Sequence, residues 1–159
     1  MSTNVSGGMA GLQFANDIVT MIENNWLESN GGIRPEIITQ WNVKTIGQGD
    51  SNYAMVIISI DSENPQIYSM LQGTTDPTIS AYDWLHEVSV TLDVRTGVSE
   101  SRVLDLVNET MRIIKTNTVP IINNTQYIQL LPEGITSLNE QYRNLWRYTI
   151  SVAAIRFNP

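Results

Sequence analysis

His86 is the single imidazole in a chain of 159 residues that contains no cysteine. Zinc and related ions are held by several His or Cys side chains, so no ligand set for such a metal can be assembled. His86 falls on the apolar side of an alternating stretch, where a packed structural histidine is expected. Serines and aspartates are plentiful, but no Gly-x-Ser-x-Gly elbow presents a nucleophile. Two carboxylate pairs stand out, Asp61 with Glu63 and Glu100 with Asp105. The first sits in turn-like sequence with too few further oxygen ligands for a calcium loop. The second belongs to the solvated surface of a helix. Gly47-Gln48-Gly49 lacks the third glycine and the strand-then-helix setting of a phosphate-binding loop, and reads as a turn between strands. Trp26, Trp41, Trp84 and Trp146 all lie on the apolar faces of periodic segments, which assigns them to core packing. Trp84 and Trp146 open their strands beside loops and also suit an interface. No catalytic residue, cofactor or metal site is expected, and the chain is read as a non-enzyme.

Bulk properties narrow the partners. Asp and Glu outnumber Lys and Arg by 16 to 9, for a net charge of −7, and only 16% of residues are charged. Proteins that grip nucleic acid neutralise phosphates with clustered Lys and Arg. Here no two basic residues are adjacent. A hydrophobic content of 42% excludes a disordered chain. A neutral, polar surface of this kind is cheap to desolvate and suits subunit packing. The absence of cysteine fits a reducing compartment. No Lys or Arg precedes Arg34, so a secretory leader would lack its charged start. The longest apolar run, 53–60, is too short to span a bilayer. Asn-x-Ser/Thr triplets beginning at Asn4, Asn108 and Asn123 are read as chance occurrences.

The elements that would position any site follow from hydrophobic periodicity. Residues 1–8 have the composition of a flexible arm, and 9–159 are expected to form a single α+β domain. Leu12, Ala15, Ile18, Val19, Ile22 and Trp26 recur at helical steps and predict a helix over 9–28, stopped by Asn30-Gly31-Gly32. The period then becomes two: Ile37, Thr39, Trp41 and Val43 predict a strand, joined through 47–51 to a more central strand at 53–60 as a hairpin. Residues 61–83 are the least regular, with turn chemistry at 61–65 and either a short strand or a turn at 67–71. From Trp84 to Arg95 one face is apolar and the other almost wholly polar. Ser99 is placed to cap a helix over 100–117 that buries Val103, Leu106, Val107, Met111 and Ile114. A short strand at 127–131, closed by Pro132-Glu133-Gly134, and a last alternating strand over 145–157 complete the chain. This order predicts one mainly antiparallel β-sheet with two amphipathic helices packed on one face.

The polar side of the 84–95 strand carries Glu87, Ser89, Thr91 and Asp93, and the last strand can add Arg147, Thr149 and Ser151. An antiparallel sheet with one wet face shows such a pattern, and so does the lining of a channel. The run Trp84-Leu85-His86-Glu87-Val88-Ser89-Val90-Thr91-Leu92-Asp93-Val94-Arg95-Thr96 leads at once into an amphipathic helix. Together with Asn64 to Ser69 and the closing segment 140–158, it resembles the tail terminator, or tail-completion, proteins of long-tailed viruses of bacteria and archaea. The resemblance covers most of the chain from about residue 10. It is one of pattern and element order, and nothing transfers to 61–83.

The resemblance implies a structural virion protein made in the host cytoplasm and placed at the neck. It implies a homo-oligomeric ring, a hexamer, that caps the tail tube, stops its polymerisation and joins it to the head connector. Its partners would be the tail tube protein and the head–tail connector protein, with DNA only in passage through the lumen and no membrane. On this chain the lumen face would be Glu87, Ser89, Thr91 and Asp93. Contacts between subunits, or docking contacts, are expected from Ile67, Tyr68, Met70, Leu71 and Trp84. Three other readings stay open. One is a different neck or tube component, such as an adaptor, a stopper or the tube protein, which would be distinguished by its mode of assembly. Another is a small α+β enzyme or ligand-binding domain, which needs a polar constellation in a pocket. The last is a cellular interaction module.

Overall fold

The structure is a computed structural model that describes residues 10–42, 53–67, 84–118, 120–122, 125–140 and 145–157. Helix α1 (Ala10–Asn25) is followed by a single turn, α2 (Glu28–Gly31), and by strand β1 (Glu36–Thr39). Strands β2 (Ala54–Ile67) and β3 (Trp84–Thr96) precede helix α3 (Glu100–Thr116). The chain ends in β4 (Ile121–Ile122), β5 (Thr125–Ser137) and β6 (Trp146–Phe157). The strands form one sheet in the order β1-β2-β3-β6-β5-β4. All pairs are antiparallel except β1 with β2.

The expected α+β layering is present. Helix α1 lies over β1, β2 and β3, and α3 over β3, β6 and β5. Phe14, Ala15, Ile18, Met21 and Ile22 of α1 meet Val103, Leu106, Ile113 and Ile114 of α3 over Val56, Ile58, Val90, Leu92, Ile150 and Val152 of the sheet. Each fully buried aliphatic side chain of this kind contributes about 1.5–3 kcal/mol. Ser99 caps α3, its hydroxyl accepting from the Arg102 amide at 3.1 Å, which contributes about 1 kcal/mol. Met111 of the expected α3 stripe is only half-buried, whereas Ile113 is fully buried.

Four expectations are corrected. The stretches read as a first hairpin are a parallel pair, with Glu36 beside Met55 and Thr39 beside Ile58. Alternation fixes which face a residue occupies and not the direction of the neighbouring strand, and a parallel pair needs a long connection in place of a tight turn. Trp41 does not continue β1 into the core. The backbone turns into a 3₁₀ segment (Gln40–Asn42) and Trp41 stays 43% exposed. Residues 61–65 are not a turn, because β2 runs through them and absorbs the irregularity as a register shift between Ile60 and Ser62. Likewise β5 runs on through Pro132-Glu133-Gly134 with a shift at that point. Each proline lies where its strand has no described neighbour on the outer side, and there a missing backbone donor is tolerated.

The connection from α1 to β1 is tied to α3 by polar groups. Glu109, buried on α3, accepts from the Leu27 amide at 2.9 Å and from Arg112 Nε at 3.0 Å. Arg112 also donates to the Asn25 carbonyl at 2.7 Å, and Trp26 Nε1 to the Gly32 carbonyl at 2.9 Å. Arg102 donates to the carbonyls of Gly31 and Ile33. Gly31 has to be glycine here, since a Cβ would lie 2.5 Å from the Trp26 ring and 2.7 Å from Glu109 Cβ. Gly32 takes φ +70°, a left-handed conformation that glycine adopts without strain.

Candidate functional site

The face of the sheet turned away from the helices gathers the polar residues that the sequence singled out. Backbone register arranges this face in rows across β2, β3, β6 and β5. One row is Ser59, Thr91, Ser151 and Gly134, and the next is Ser62, Ser89, Ala153 and Leu131. A third is Ile57, Asp93, Thr149 and Thr136, and a fourth Asn64, Glu87, Ile155 and Gln129. Small hydroxyl, methyl and glycine positions therefore dominate its middle.

The four candidate lumen residues share this face but not its exposure. Glu87 is exposed, and Ser89 and Thr91 are half-buried. The Thr91 hydroxyl donates to Asp61 Oδ2 at 2.5 Å, so the carboxylate at the bulge of β2 is fixed by its neighbouring strand. Asp93 is only 7% exposed. Arg95 Nη2 lies 2.6 Å from its Oδ2 and Arg147 Nη2 2.8 Å, while Arg147 Nε reaches both carboxylate oxygens at 2.9 and 3.0 Å. The hydrogen bond to Asp93 holds the Arg95 guanidinium still more firmly protonated than usual. The charge of Asp93 is thus balanced by two arginines, and Glu87 is the carboxylate of the four that faces solvent.

Of the five candidate contact residues, Ile67 ends β2 and Trp84 begins β3, and the two are paired across the strands. Tyr68, Met70 and Leu71 lie outside the described residues. So does the 47–51 segment that was read as a turn.

A buried polar cluster between helix and sheet escaped the sequence reading. Asp17 of α1 and Arg156 of β6 are 1% and 0% exposed, and Tyr127 of β5 is fully buried. The Tyr127 hydroxyl donates to Asp17 Oδ2. The Arg156 guanidinium sits 5.7 Å from the centre of the Tyr127 ring, and Phe14 packs on that ring at 5.5 Å. Burial pushes the Tyr127 phenol far above the usual tyrosine range, and the Asp17 charge adds to the shift. The signal was present in the spacing. Asp17 falls between Phe14 and Met21 on the helix stripe, and Arg156 continues the series Ile150, Val152, Ala154 on β6.

A shallow cavity where the ends of α1 and α3 meet β4 is lined by Thr20, Asn24, Asn25, Asn117 and Ile121 among others. Asn25 and Asn117 spend their amide groups on the Met21 and Ile113 carbonyls of their own helices. Among the described residues no group of three or more His, Asp or Glu side chains is set to hold a metal ion. Among the same residues no helix is long and apolar enough to cross a membrane.

No family model matches the chain, and no curated protein matches it. Its fold is nevertheless shared with a chain in the solved structure of the virion of a native gene transfer agent (GTA) particle. The two superpose with a TM-score of 0.61 over 94% of this chain and 99% of that one, at 8% identity. At so low an identity the likeness is one of fold: an α+β plan shared with a component of that virion.

Proposed function

We propose that the chain is a structural virion protein, and within that class a tail terminator: a ring, a hexamer, that caps the tail tube, halts its growth and joins it to the head connector. The observation that carries this reading is the fold shared with a virion chain over nearly the full length of both. The strand-to-helix pattern from Trp84 into α3 supports the finer assignment. The polar sheet face supports a lumen. Its small side chains offer DNA few places to stick, and its described carboxylates Glu36, Asp61, Glu87 and Asp93 outnumber Arg95 and Arg147. Like charge opposes phosphate adhesion.

Electron microscopy of the purified protein, with light scattering across a concentration series, tests the ring. Closed rings with a central hole are expected. Unlimited tubes would instead make the chain a tube protein. A chain that stays monomeric at high concentration and ignores virion tail and neck proteins would overturn the proposal. The lumen is tested by Glu87→Lys, which leaves the Asp93 ion pairs intact and is repeated around the ring by symmetry. Infectious titre is expected to fall about tenfold or more, with tails still assembled. An unchanged titre would remove Glu87 from the lumen.

A further inference from the structure

Among the described residues, both flanks of the sheet lack a neighbouring strand over most of their length. Among the described residues β1 pairs with β2 only at Met55, Val56, Ile57 and Ile58, so 59–67 has no described strand on its outer side. At the opposite flank β4 pairs with β5 only at Thr125 and Gln126. The Leu130 amide is used by the Thr118 carbonyl at 2.8 Å, and beyond it 131–137 faces no described strand.

The four strands between these flanks alternate in direction, so β2 and β5 run oppositely. A second copy set beside the first in the same orientation therefore meets β5 with β2 in antiparallel sense. An odd number of strands would have produced a parallel junction. The two flanks are different surfaces, so the contact is head-to-tail and repeats from copy to copy, as a closed ring requires. Leu131 and Ile135 on β5 are 42% and 47% exposed, apolar area that such a junction would shield. Pro65 and Pro132 each remove one donor, and a bulge bends each flank. These features suppress indiscriminate pairing and favour an edge of matching bend.

We infer that 59–67 of one copy pairs with 131–137 of the next, so that the sheet continues across the subunit boundary. This rests on the ring reading above and names the surfaces that close it.

The chain has no cysteine, so introduced thiols report contact directly. Ser62, Gln129, Leu131 and Thr136 lie on the same sheet face, with Ser62 and Leu131 in one row. Three double variants of the full chain, Ser62→Cys combined with Gln129→Cys, Leu131→Cys or Thr136→Cys, sample the unstaggered junction and one stagger to either side. After mild oxidation, at least one is expected to give a ladder of disulfide-linked multimers up to the ring size, lost on reduction. The single variants should give none beyond dimers. If microscopy shows rings while no double variant forms a ladder, the edge contact is overturned and the ring survives. Efficient dimers from one single variant would indicate a two-fold contact and also overturn it. A failure to assemble at all overturns both.

Discussion

Replacing Asp17 by alanine is expected to destabilise the protein by about 3–5 kcal/mol, the usual cost of taking one charged member out of a buried polar cluster. The carboxylate accepts from the Tyr127 hydroxyl and shares a dry cluster with the Arg156 guanidinium. Alanine removes both the acceptor and the negative charge. Against a total stability of about 5–15 kcal/mol for a domain, the loss should appear as a large drop in the urea midpoint. The double variant Asp17→Leu with Arg156→Met separates ionic coupling from packing. Removing both charges together should recover most of the loss if the two groups are coupled across Tyr127, since apolar replacement of all the charges of a buried cluster is often neutral or stabilising. A single-variant loss below about 1 kcal/mol, or no recovery in the double variant, would mean that the cluster is not a coupled unit.

Glu109→Ala should cost about 2–3 kcal/mol, the range for hydrogen bonds to a charged group. The variant takes away the acceptor of the Leu27 amide and of Arg112 together. The cost stays below that of breaking a fully buried ion pair because Arg112 is about one-third exposed and can rehydrate. The Arg112 hydrogen bonds hold the Glu109 carboxyl below its ordinary value, burial opposes them, and the Leu27 amide adds to the lowering. A depressed folded-state value means that the contribution is fully present above the unfolded carboxyl range, near pH 4.5. It disappears as pH falls through the folded-state value. Glu109→Gln should therefore lose stability at neutral pH and show a flatter acid limb than the parent between pH 5 and pH 2 (roughly the carboxyl range). Parallel acid limbs for the two proteins would exclude Glu109 as a source of the acid sensitivity.

What could be read without coordinates was the allocation of residues to faces. Val88, Val90, Leu92 and Val94 lie inside, as alternation required, and Glu87 is exposed on the other side. The Ser99 cap and the buried face of α3 were legible for the same reason, since local spacing determines them. Pairing direction was not legible, because Ile37 and Thr39 alternate identically in a parallel and an antiparallel ladder. Bulges were misread as ends. Asp61 and the Pro132 to Gly134 segment have turn chemistry, yet a strand held by a long neighbour tolerates one extra residue without stopping. The Asp17 cluster was hidden because a helix stripe is sought among apolar side chains. A carboxylate within it looks like an interruption until the tyrosine and arginine that meet it are known. In the same way the spacing put Asp93 on the wet face but could not reveal that Arg95 and Arg147 enclose it.

The ladder between β3 and β6 has a kinetic consequence. It joins Leu85 to Phe157 and Thr96 to Trp146, so the middle of the sheet is sealed by segments far apart in sequence. Contacts between residues so far apart in sequence close slowly, on a scale of roughly milliseconds to seconds. Until they close, β5 has no partner along most of its length and the sheet has only one finished flank. The flank at β5 is therefore expected to become available for pairing only after the β3–β6 ladder has closed.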